Sequence, residues 1–268
     1  MPARVTRHFV DVPQGTIHCA QAGAGEPVLL LHQTPRSWDE YRDVLPLLGG
    51  SRRAIAMDTI GFGDSRRTAD GPDSIEAWSQ VVLAVIDALG LERVDLVGHH
   101  TGASIAVETA GRAPDRVRSV VLSSCPFDDR ASRQAEANGK AVVDDVEQSA
   151  DGSHVLELWR IRAAFYPEGD VELLERFLVD ALKAGPLAAE GHRVVARYDV
   201  QAAIHRVTCP VLLIGATADS YAYPALPDLQ TALPHAETVE IEGGMVPLPD
   251  QLPRPFADAV AAFLERRP

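Results

Sequence analysis

The sequence has few cysteines and lacks a long apolar run. Its three cysteines, Cys19, Cys125 and Cys209, are odd in number and far apart, which fits neither a disulfide framework nor paired metal-ligand spacing, so we expect free thiols. No stretch approaches the roughly 18 to 20 apolar residues that cross a bilayer, and residues 1–10 carry charges where a signal peptide needs an apolar segment. We therefore expect no membrane partner and a cytoplasmic location.

Basic residues are outnumbered by acidic ones, 25 against 38, which gives a formal net charge of −13 at pH 7. Nucleic-acid-binding domains concentrate Lys and Arg instead, so we expect no nucleic-acid partner. The expected partner is a small-molecule substrate. The sequence does not decide whether the protein forms a homodimer. At 268 residues, 46% hydrophobic and 24% charged, the chain has the composition of a globular protein with one large core.

Short apolar runs recur along the chain and predict strands that are buried on both faces. They lie at 28–31, 54–57, 94–97, 120–122 and 211–214, after a predicted hairpin over 7–12 and 16–21. Helical patterns alternate with them at 38–48, 74–89, 104–110 and 253–264. This alternation predicts an α/β fold with a mostly parallel sheet, whose ligands bind at the carboxyl ends of the strands.

One long interval breaks the alternation. Residues 127–200 contain amphipathic helical patterns at 155–165 and 171–182 but no strand run. A helical insertion whose ends return to adjacent strands is placed to cover the strand ends. We therefore predict a core formed by residues 1–126 and 201–268, and a helical cap formed by residues 127–200.

The predicted strand at 94–97 runs into Gly98-His99-His100-Thr101-Gly102 and then into a helical pattern. A residue between two glycines on a strand-to-helix turn is held in a sharp elbow, with its side chain above the sheet. The next backbone N–H lies at a helix N-terminus, where it can stabilise an oxyanion. Taken alone, the motif is equally well explained by an ordinary turn that carries a surface histidine.

The elbow resembles the Gly-x-nucleophile-x-Gly motif of the α/β-hydrolase family, with His100 in the nucleophile place. Four further segments resemble landmarks of that family in the same order: the oxyanion loop at 32–35, the Asp-x-x-Gly-Phe-Gly-x-Ser turn at 58–65, the strand and acid loop at 211–219, and the Gly-Gly-His loop at 242–247. The resemblance implies an α/β-hydrolase fold with an eight-strand-type sheet, helices on both faces and a helical cap.

The resemblance also implies site residues. Asp219 stands in the place of the triad acid, and the backbone N–H groups of Thr34 and Thr101 stand in the oxyanion places. No metal and no organic cofactor are implied. The residues that we expect to contact the substrate are Gln33, Met245, Trp159 and Tyr166.

Three positions depart from the family pattern. His100 replaces the nucleophile, Met245 replaces the catalytic histidine, and Gln33 replaces the glycine of the oxyanion loop. A serine mechanism needs a hydroxyl beside an imidazole that takes its proton. Because neither group stands in its usual place, a standard serine esterase is not expected.

Two interpretations of His100 stay open. In the first, Asp219 accepts the Nδ1–H of His100, and the imidazole acts as a general base or nucleophile. This predicts hydrolysis of a small, fairly apolar ester, lactone or similar carbonyl compound, or else a cofactor-free lyase or isomerase reaction. In the second, His100 is a polar pocket wall in a non-catalytic ligand-binding or receptor-like protein. We favour an enzyme, because packing alone does not explain Asp219, the Thr34 loop and two adjacent imidazoles.

Overall fold

The structure, a computed structural model, describes residues 3–68, 71, 73–127 and 142–266. These residues form a sheet of nine strands. Its nine strands are β1 Thr6–Val12, β2 Gly15–Ala22, β3 Pro27–Leu31, β4 Arg53–Met57, β5 Arg66–Arg67, β6 Val94–His99, β7 Val117–Ser123, β8 Val211–Ala216 and β9 Glu237–Ile241.

Eight of the strands follow the order β1-β2-β4-β3-β6-β7-β8-β9, and the short β5 pairs with β2. The pairs from β4 to β9 are parallel, whereas β1 and β2 form the antiparallel edge. The α/β-hydrolase fold class that the sequence predicts is therefore confirmed. The two-residue β5 was not predicted, because it has no apolar run.

Ten α-helices lie in the described residues, and none of them is both long and apolar enough to cross a membrane. They are α1 Leu45–Leu48, α2 Ile75–Ala88, α3 Thr101–Arg112, α4 Ser153–Ala163, α5 Val171–Ala184, α6 Leu187–Arg197, α7 Val200–Ile204, α8 Leu226–Ala232, α9 Leu248–Gln251 and α10 Pro253–Glu265.

Alternate residues of the central strands enter two apolar layers, as expected where successive side chains point to opposite faces. In β3, Leu29 and Leu31 join the layer that contains α2 and α3, whereas Val28 and Leu30 join the layer with α1 and α10. Burial on both faces explains why these strands are continuous apolar runs in the sequence.

Helices α4 to α7 occupy the described chain between β7 and β8. The sequence predicted the first two, but not α6 and α7. The buried face of α6 includes Ala188, Ala189 and Gly191, and such small residues give a weak apolar pattern. Residues 128–141 of the predicted cap lie outside the described residues, and the division into core and cap stays a prediction.

Candidate active site

The turn between β6 and α3 holds His100 in a strained backbone conformation, with φ +46° and ψ −112°. Such a conformation is uncommon for residues other than glycine and costs about 1–3 kcal/mol, so the surrounding structure must impose it. The His100 N–H donates to the Ser123 carbonyl at 3.0 Å, and the His100 carbonyl accepts from the Ala103 N–H at 2.9 Å. These bonds hold the turn between β7 and the first turn of α3.

Close backbone packing explains the two glycines of the elbow. A Cβ atom added to Gly102 would lie 1.9 Å from the carbonyl oxygen of Leu31, and one added to Gly98 would lie 2.2 Å from the carbonyl oxygen of Gly102. Both distances are far below van der Waals contact. The glycines therefore let α3 start directly against β3 and β6, which fixes where the His100 side chain emerges.

His100 and Asp219 meet at the carboxyl edge of the sheet. The Nε2 atom of His100 lies 2.9 Å from Oδ2 of Asp219, in ion-pair contact without the alignment of a full hydrogen bond. Oδ1 of Asp219 accepts the backbone N–H groups of Tyr221 and Ala222 at 3.0 and 3.1 Å. These backbone donors fix the carboxylate so that Oδ2 faces the imidazole.

The contact between the two side chains is the one that the sequence predicts, but through the other ring nitrogen. Nε2 and not Nδ1 faces Asp219, because the outer edge of the His100 ring spans the gap to the loop after β8. A carboxylate only accepts hydrogen bonds, so the neutral imidazole carries its proton on Nε2. The lone pair then lies on Nδ1, which contacts no hydrogen-bonding group in the described residues.

This arrangement predicts the tautomer of His100. In ¹⁵N NMR spectra of histidine-labelled protein, neutral His100 is expected in the Nε2–H form, with its resonances assigned by their loss in His100→Ala. The reason is the buried Asp219 carboxylate beside Nε2. A neutral His100 with its proton on Nδ1 would contradict the contact described above.

Asp219 is ionised in this environment. Burial raises the pKa of the carboxyl, but the charge of the adjacent His100 and the hydrogen-bond donors around the carboxylate, among them the Ala222 N–H, together lower it by more, and the net pKa lies below the usual range. The stabilisation that the depressed pKa provides is present above the unfolded-state value of about 3.9 and is lost as the pH falls below it. At neutral pH, Asp219 therefore offers a fixed negative charge to His100.

His99 is a neutral residue beneath the elbow. Its Nε2 lies 2.8 Å from the carbonyl oxygen of Val246, and its Nδ1 lies 2.9 Å from the hydroxyl of Ser123. A carbonyl only accepts, so Nε2 carries the proton and Nδ1 accepts from Ser123. Burial, together with the neighbouring His100, lowers the pKa of His99 to about 3. His99 thus joins the elbow to the loop after β9.

The predicted oxyanion loop after β3 differs from the expectation. The N–H of Thr34 donates to the side-chain hydroxyl of Thr101 at 3.2 Å, and the N–H of Gln33 donates to Glu40 at 2.8 Å. Thr34 therefore does not offer an unpaired N–H to a ligand, because the Thr101 side chain reaches across from α3. The N–H of Thr101 lies at the first position of that helix, where N–H groups have no intrahelical acceptor.

The side chain of Gln33 fills the space that a glycine would leave. It is 4% exposed, and its amide donates to Glu40 at 3.2 Å and to the carbonyl of Val246 at 3.4 Å. Gln33 thereby connects the loop after β3 to the loop after β9. His32 orients the same loop, since its Nδ1 lies 2.7 Å from the Gln33 carbonyl and its Nε2 accepts the N–H of Thr59.

A cavity of about 360 Å³ opens above the elbow. Its floor includes residues from outside the segment between β7 and β8: Gln33, Thr34, His100, Thr101, Ser104 and Val246. Its roof comes from the segment between β7 and β8 and includes Arg162, Phe165, His192, Val195 and Tyr198. The volume suits a small molecule, and mixed apolar and polar walls are typical of such sites.

Three predicted substrate contacts lie outside the wall of this cavity. Trp159 of α4 and Tyr166, which follows that helix, pack in a separate apolar cluster with Phe177 of α5. Met245 is half-buried beside the last loop, and its neighbour Val246 lines the cavity in its place.

Arg162 is a cavity residue that sequence reasoning missed. It is 5% exposed, and its guanidinium forms a bidentate pair with Asp144 and lies 4.7 Å from the Phe177 ring centroid. Nε2 of His192 lies 3.0 Å from the same guanidinium. The spacing of Leu158 and Arg162, four residues apart on the buried side of α4, is the signal that could have found it.

One group of potential metal ligands, His18, Asp58 and Asp64, lies apart from the cavity. Its ligand atoms already have partners. His18 contacts Asp58 at 2.9 Å and accepts from Arg7 at 2.8 Å, while Asp64 pairs with Arg7 and Lys183. Protein cations therefore occupy the positions that a metal would need, and we assign no metal to this group.

The sheet order, the strand-to-helix elbow and the cavity at the carboxyl edge define an α/β protein whose site lies above a nucleophile-elbow turn. The α/β-hydrolase fold family matches residues 26–245 of the chain. The chain belongs to that family.

Similar proteins include several named hydrolases. The 2-hydroxymuconate semialdehyde hydrolase of Pseudomonas sp. (strain CF600) is 42% identical over 104 residues, which cover 38% of this chain and 37% of that protein. Haloalkane dehalogenase 2 of Mycobacterium tuberculosis (strain ATCC 25618 / H37Rv) is 36% identical over 119 residues, 44% of this chain and 42% of that one. The matched part thus spans less than half the length of these relatives.

The structure of a thermophilic esterase from Thermogutta terrifontis is also similar, with a TM-score of 0.79 and 21% identity. The match covers 97% of this chain and 98% of that one. At this level of identity the likeness shows the fold alone.

Proposed function

We propose that this protein is a cofactor-independent enzyme that hydrolyses a small, fairly apolar ester, lactone or similar carbonyl compound. The observation that carries the proposal is the contact of 2.9 Å between His100, which lines the cavity at the elbow, and the buried Asp219 behind it. His100 stands where the family has its nucleophile, and Met245 stands where it has its catalytic histidine. The named activities of the relatives support hydrolysis as the reaction class.

In the proposed reaction, Nδ1 of His100 is the working nitrogen because Nε2 faces Asp219. As a general base, Nδ1 takes a proton from water while the water oxygen bonds to the carbonyl carbon. The carbonyl π electrons move to oxygen, and the imidazolium then protonates the leaving alkoxide as the C–O bond breaks. As a nucleophile, Nδ1 instead bonds to the carbon itself, and the C–O bond to the leaving group breaks, so that the alkoxide departs and takes a proton from water. A water molecule then adds to the acyl-imidazole, and the C–N bond breaks to give the acid and free Nδ1.

Asp219 orients the ring and stabilises the imidazolium that forms in either route. We expect Asp219→Asn to lower turnover less than removal of the imidazole, because the amide keeps a polar contact to Nε2 but loses the charge. The N–H of Thr101 faces the developing oxyanion in this proposal.

A cofactor-free lyase or isomerase reaction is the second candidate. The observation that favours it is the bond from the Thr34 N–H to the Thr101 hydroxyl, which occupies one of the two usual oxyanion donors. Proton abstraction by His100 depends less on a tetrahedral oxyanion. Incorporation of ¹⁸O from labelled water into the product acid supports hydrolysis, whereas deuterium exchange into substrate or product without ¹⁸O supports the second candidate.

The test of the proposal is a screen of small aryl esters and lactones with purified protein, followed by His100→Ala on each compound that reacts. Loss of turnover in the variant supports the proposal. Equal turnover in the two proteins shows that His100 is not catalytic. A small molecule that binds in the cavity while no compound reacts would support the receptor interpretation.

The pH dependence of turnover gives a further prediction. Between about pH 5 and 9 we expect kcat/KM to rise with pH and then to level off, because only a neutral imidazole at position 100 can accept a proton or attack. Asp219, with its lowered pKa, and His99, with a pKa of about 3, keep their charge states across this range.

Steady-state kinetics between about pH 5 and 9 measure this profile. His235→Gln is the control, because His235 is exposed on the turn before β9, and this variant is expected to keep the inflection. A rate that falls or stays flat as the pH rises through the imidazole range would count against a neutral imidazole as the active group.

A further inference from the structure

The hydroxyl of Thr101 has an unusual place at the elbow. Its oxygen accepts the Thr34 N–H at 3.2 Å, so the backbone donor that the family pattern assigns to the oxyanion points at this side chain instead. A threonine hydroxyl also has one proton to donate. No acceptor for that proton is present within the part of the chain that the structure describes.

The Thr101 hydroxyl can donate its proton to a molecule bound in the cavity. Thr34 and Thr101 both line the cavity beside His100, and they are 3% and 5% exposed. Gly191 of α6 lies directly over Thr34, where an added Cβ would be 2.4 Å from the Thr34 methyl carbon. Because Gly191 packs this closely, α6 blocks the movement of the loop after β3 that would turn the Thr34 N–H toward a ligand.

We propose that the Thr101 hydroxyl is the second oxyanion donor, so that one residue supplies both donors, its backbone N–H and its side-chain O–H. The Thr34 N–H acts through it, because a hydroxyl that accepts one hydrogen bond becomes a stronger donor in the next. This inference rests on the proposed hydrolysis and names a further catalytic residue for it.

The step in which Thr101 acts is the addition to the carbonyl group. As water or Nδ1 of His100 bonds to the carbon, the π electrons move to the carbonyl oxygen, and that oxygen accepts the two Thr101 donors. When the carbon–oxygen bond to the leaving group breaks, the electrons return and the C=O bond forms again. Thr101 keeps its own proton throughout, so the step needs no additional reactant.

Substitutions of Thr101 distinguish a hydroxyl that donates to the oxyanion from one that only blocks the Thr34 N–H. Thr101→Val keeps the shape without the hydroxyl and is expected to lower kcat by about 10²-fold, the lower end of the cost of a lost oxyanion donor, with KM nearly unchanged. Thr101→Ser keeps the hydroxyl and is expected to lose much less. Thr101→Ala uncovers the Thr34 N–H and is expected to recover only part of the loss. If Thr101 only obstructs Thr34, Thr101→Ala equals or exceeds the wild type.

The chain offers a matched control on the same helix. Thr109 is fully buried in α3, its hydroxyl donates to the carbonyl of Ile105 at 2.7 Å, and it does not line the cavity. Thr109→Val removes a buried hydroxyl in the same way and is expected to leave kcat unchanged. An equal loss of kcat in the two valine variants would overturn the proposal, since it would reflect a general disturbance of α3.

A binding measurement tests the inference without turnover. Calorimetry compares the phenyl methylphosphonate anion, which imitates the tetrahedral oxyanion, with neutral N-phenylacetamide. The wild type and Thr101→Ser are expected to prefer the phosphonate, and Thr101→Val is expected to lose about tenfold or more of that preference, as for a hydrogen bond to a charged group. Circular dichroism checks that each variant is folded.

These experiments give different results if the proposed role of Thr101 fails and if the proposed role of His100 fails. An equal preference in Thr101→Val and the wild type, or no preference in the wild type, overturns the role of Thr101. A preference that depends on the hydroxyl, together with turnover that does not change in His100→Ala, supports Thr101 and overturns the proposed role of His100.

Discussion

His100→Ala is expected to lower turnover by about 10² to 10⁴, the usual contribution of a positioned acid–base group, while the fold stays intact. The reason is that Nδ1 of His100 is the nitrogen from which the proposed proton transfer or attack starts, and the proposal puts Met245, which has no titratable group, in the place of the family's catalytic histidine. Alanine keeps the Cβ atom, so the backbone strain at position 100 and the packing of Gly98 and Gly102 stay as they are. Steady-state kinetics and thermal unfolding of the variant check both parts.

His100→Ser is the sharper variant. It restores the family's usual nucleophile but removes the imidazole that would have to deprotonate it. We expect this variant to gain no esterase activity and to lose the activity of the native protein. Esterase activity in His100→Ser above the wild-type level would show that another base serves this position, and the assignment of His100 and Asp219 would then be wrong.

Arg36→Met is expected to lower the free energy of unfolding by about 3–5 kcal/mol, because removing one partner of a buried ion pair leaves an uncompensated charge. Arg36 is fully buried in the loop after β3, and its guanidinium pairs with Asp180 of α5 at 2.9 Å and with Asp250 of α9. Arg176 also contacts Asp250 at 2.7 Å, so in Arg36→Met Asp250 keeps a cationic partner and Asp180 is the carboxylate that loses its partner. Urea unfolding at neutral pH measures the change.

Arg42→Met is the control for this prediction. The Arg42 side chain is 42% exposed and pairs with Asp39 at 2.9 Å, and a pair of this kind contributes at most about 1 kcal/mol. If the two variants lose similar free energies of unfolding, the buried network does not hold α5 to the core. A large loss in Arg36→Met alone assigns that role to the network.

Much of the fold could be predicted because its signals are local. The runs at 28–31 and 211–214 are apolar throughout, the run at 94–97 is interrupted only by Asp95, and this pattern is typical of strands buried on both faces. The elbow was also visible, since glycines at 98 and 102 meet the steric demand of a helix that starts against two strands. Helix α6 was not visible, because alanine and glycine pack closely without an apolar signature.

The sequence by itself determined the central buried strands and the elbow, because both depend on neighbours within a few residues along the chain, and its resemblance to the α/β-hydrolase family placed Asp219 after β8. Only the tertiary structure decided that Nε2 of His100 faces Asp219 and that the Thr101 hydroxyl takes the Thr34 N–H. It also decided that Arg162, and not Trp159, lines the cavity. These contacts join segments that are far apart in sequence, and their atoms are placed by the packing of whole helices and strands, which no local pattern encodes.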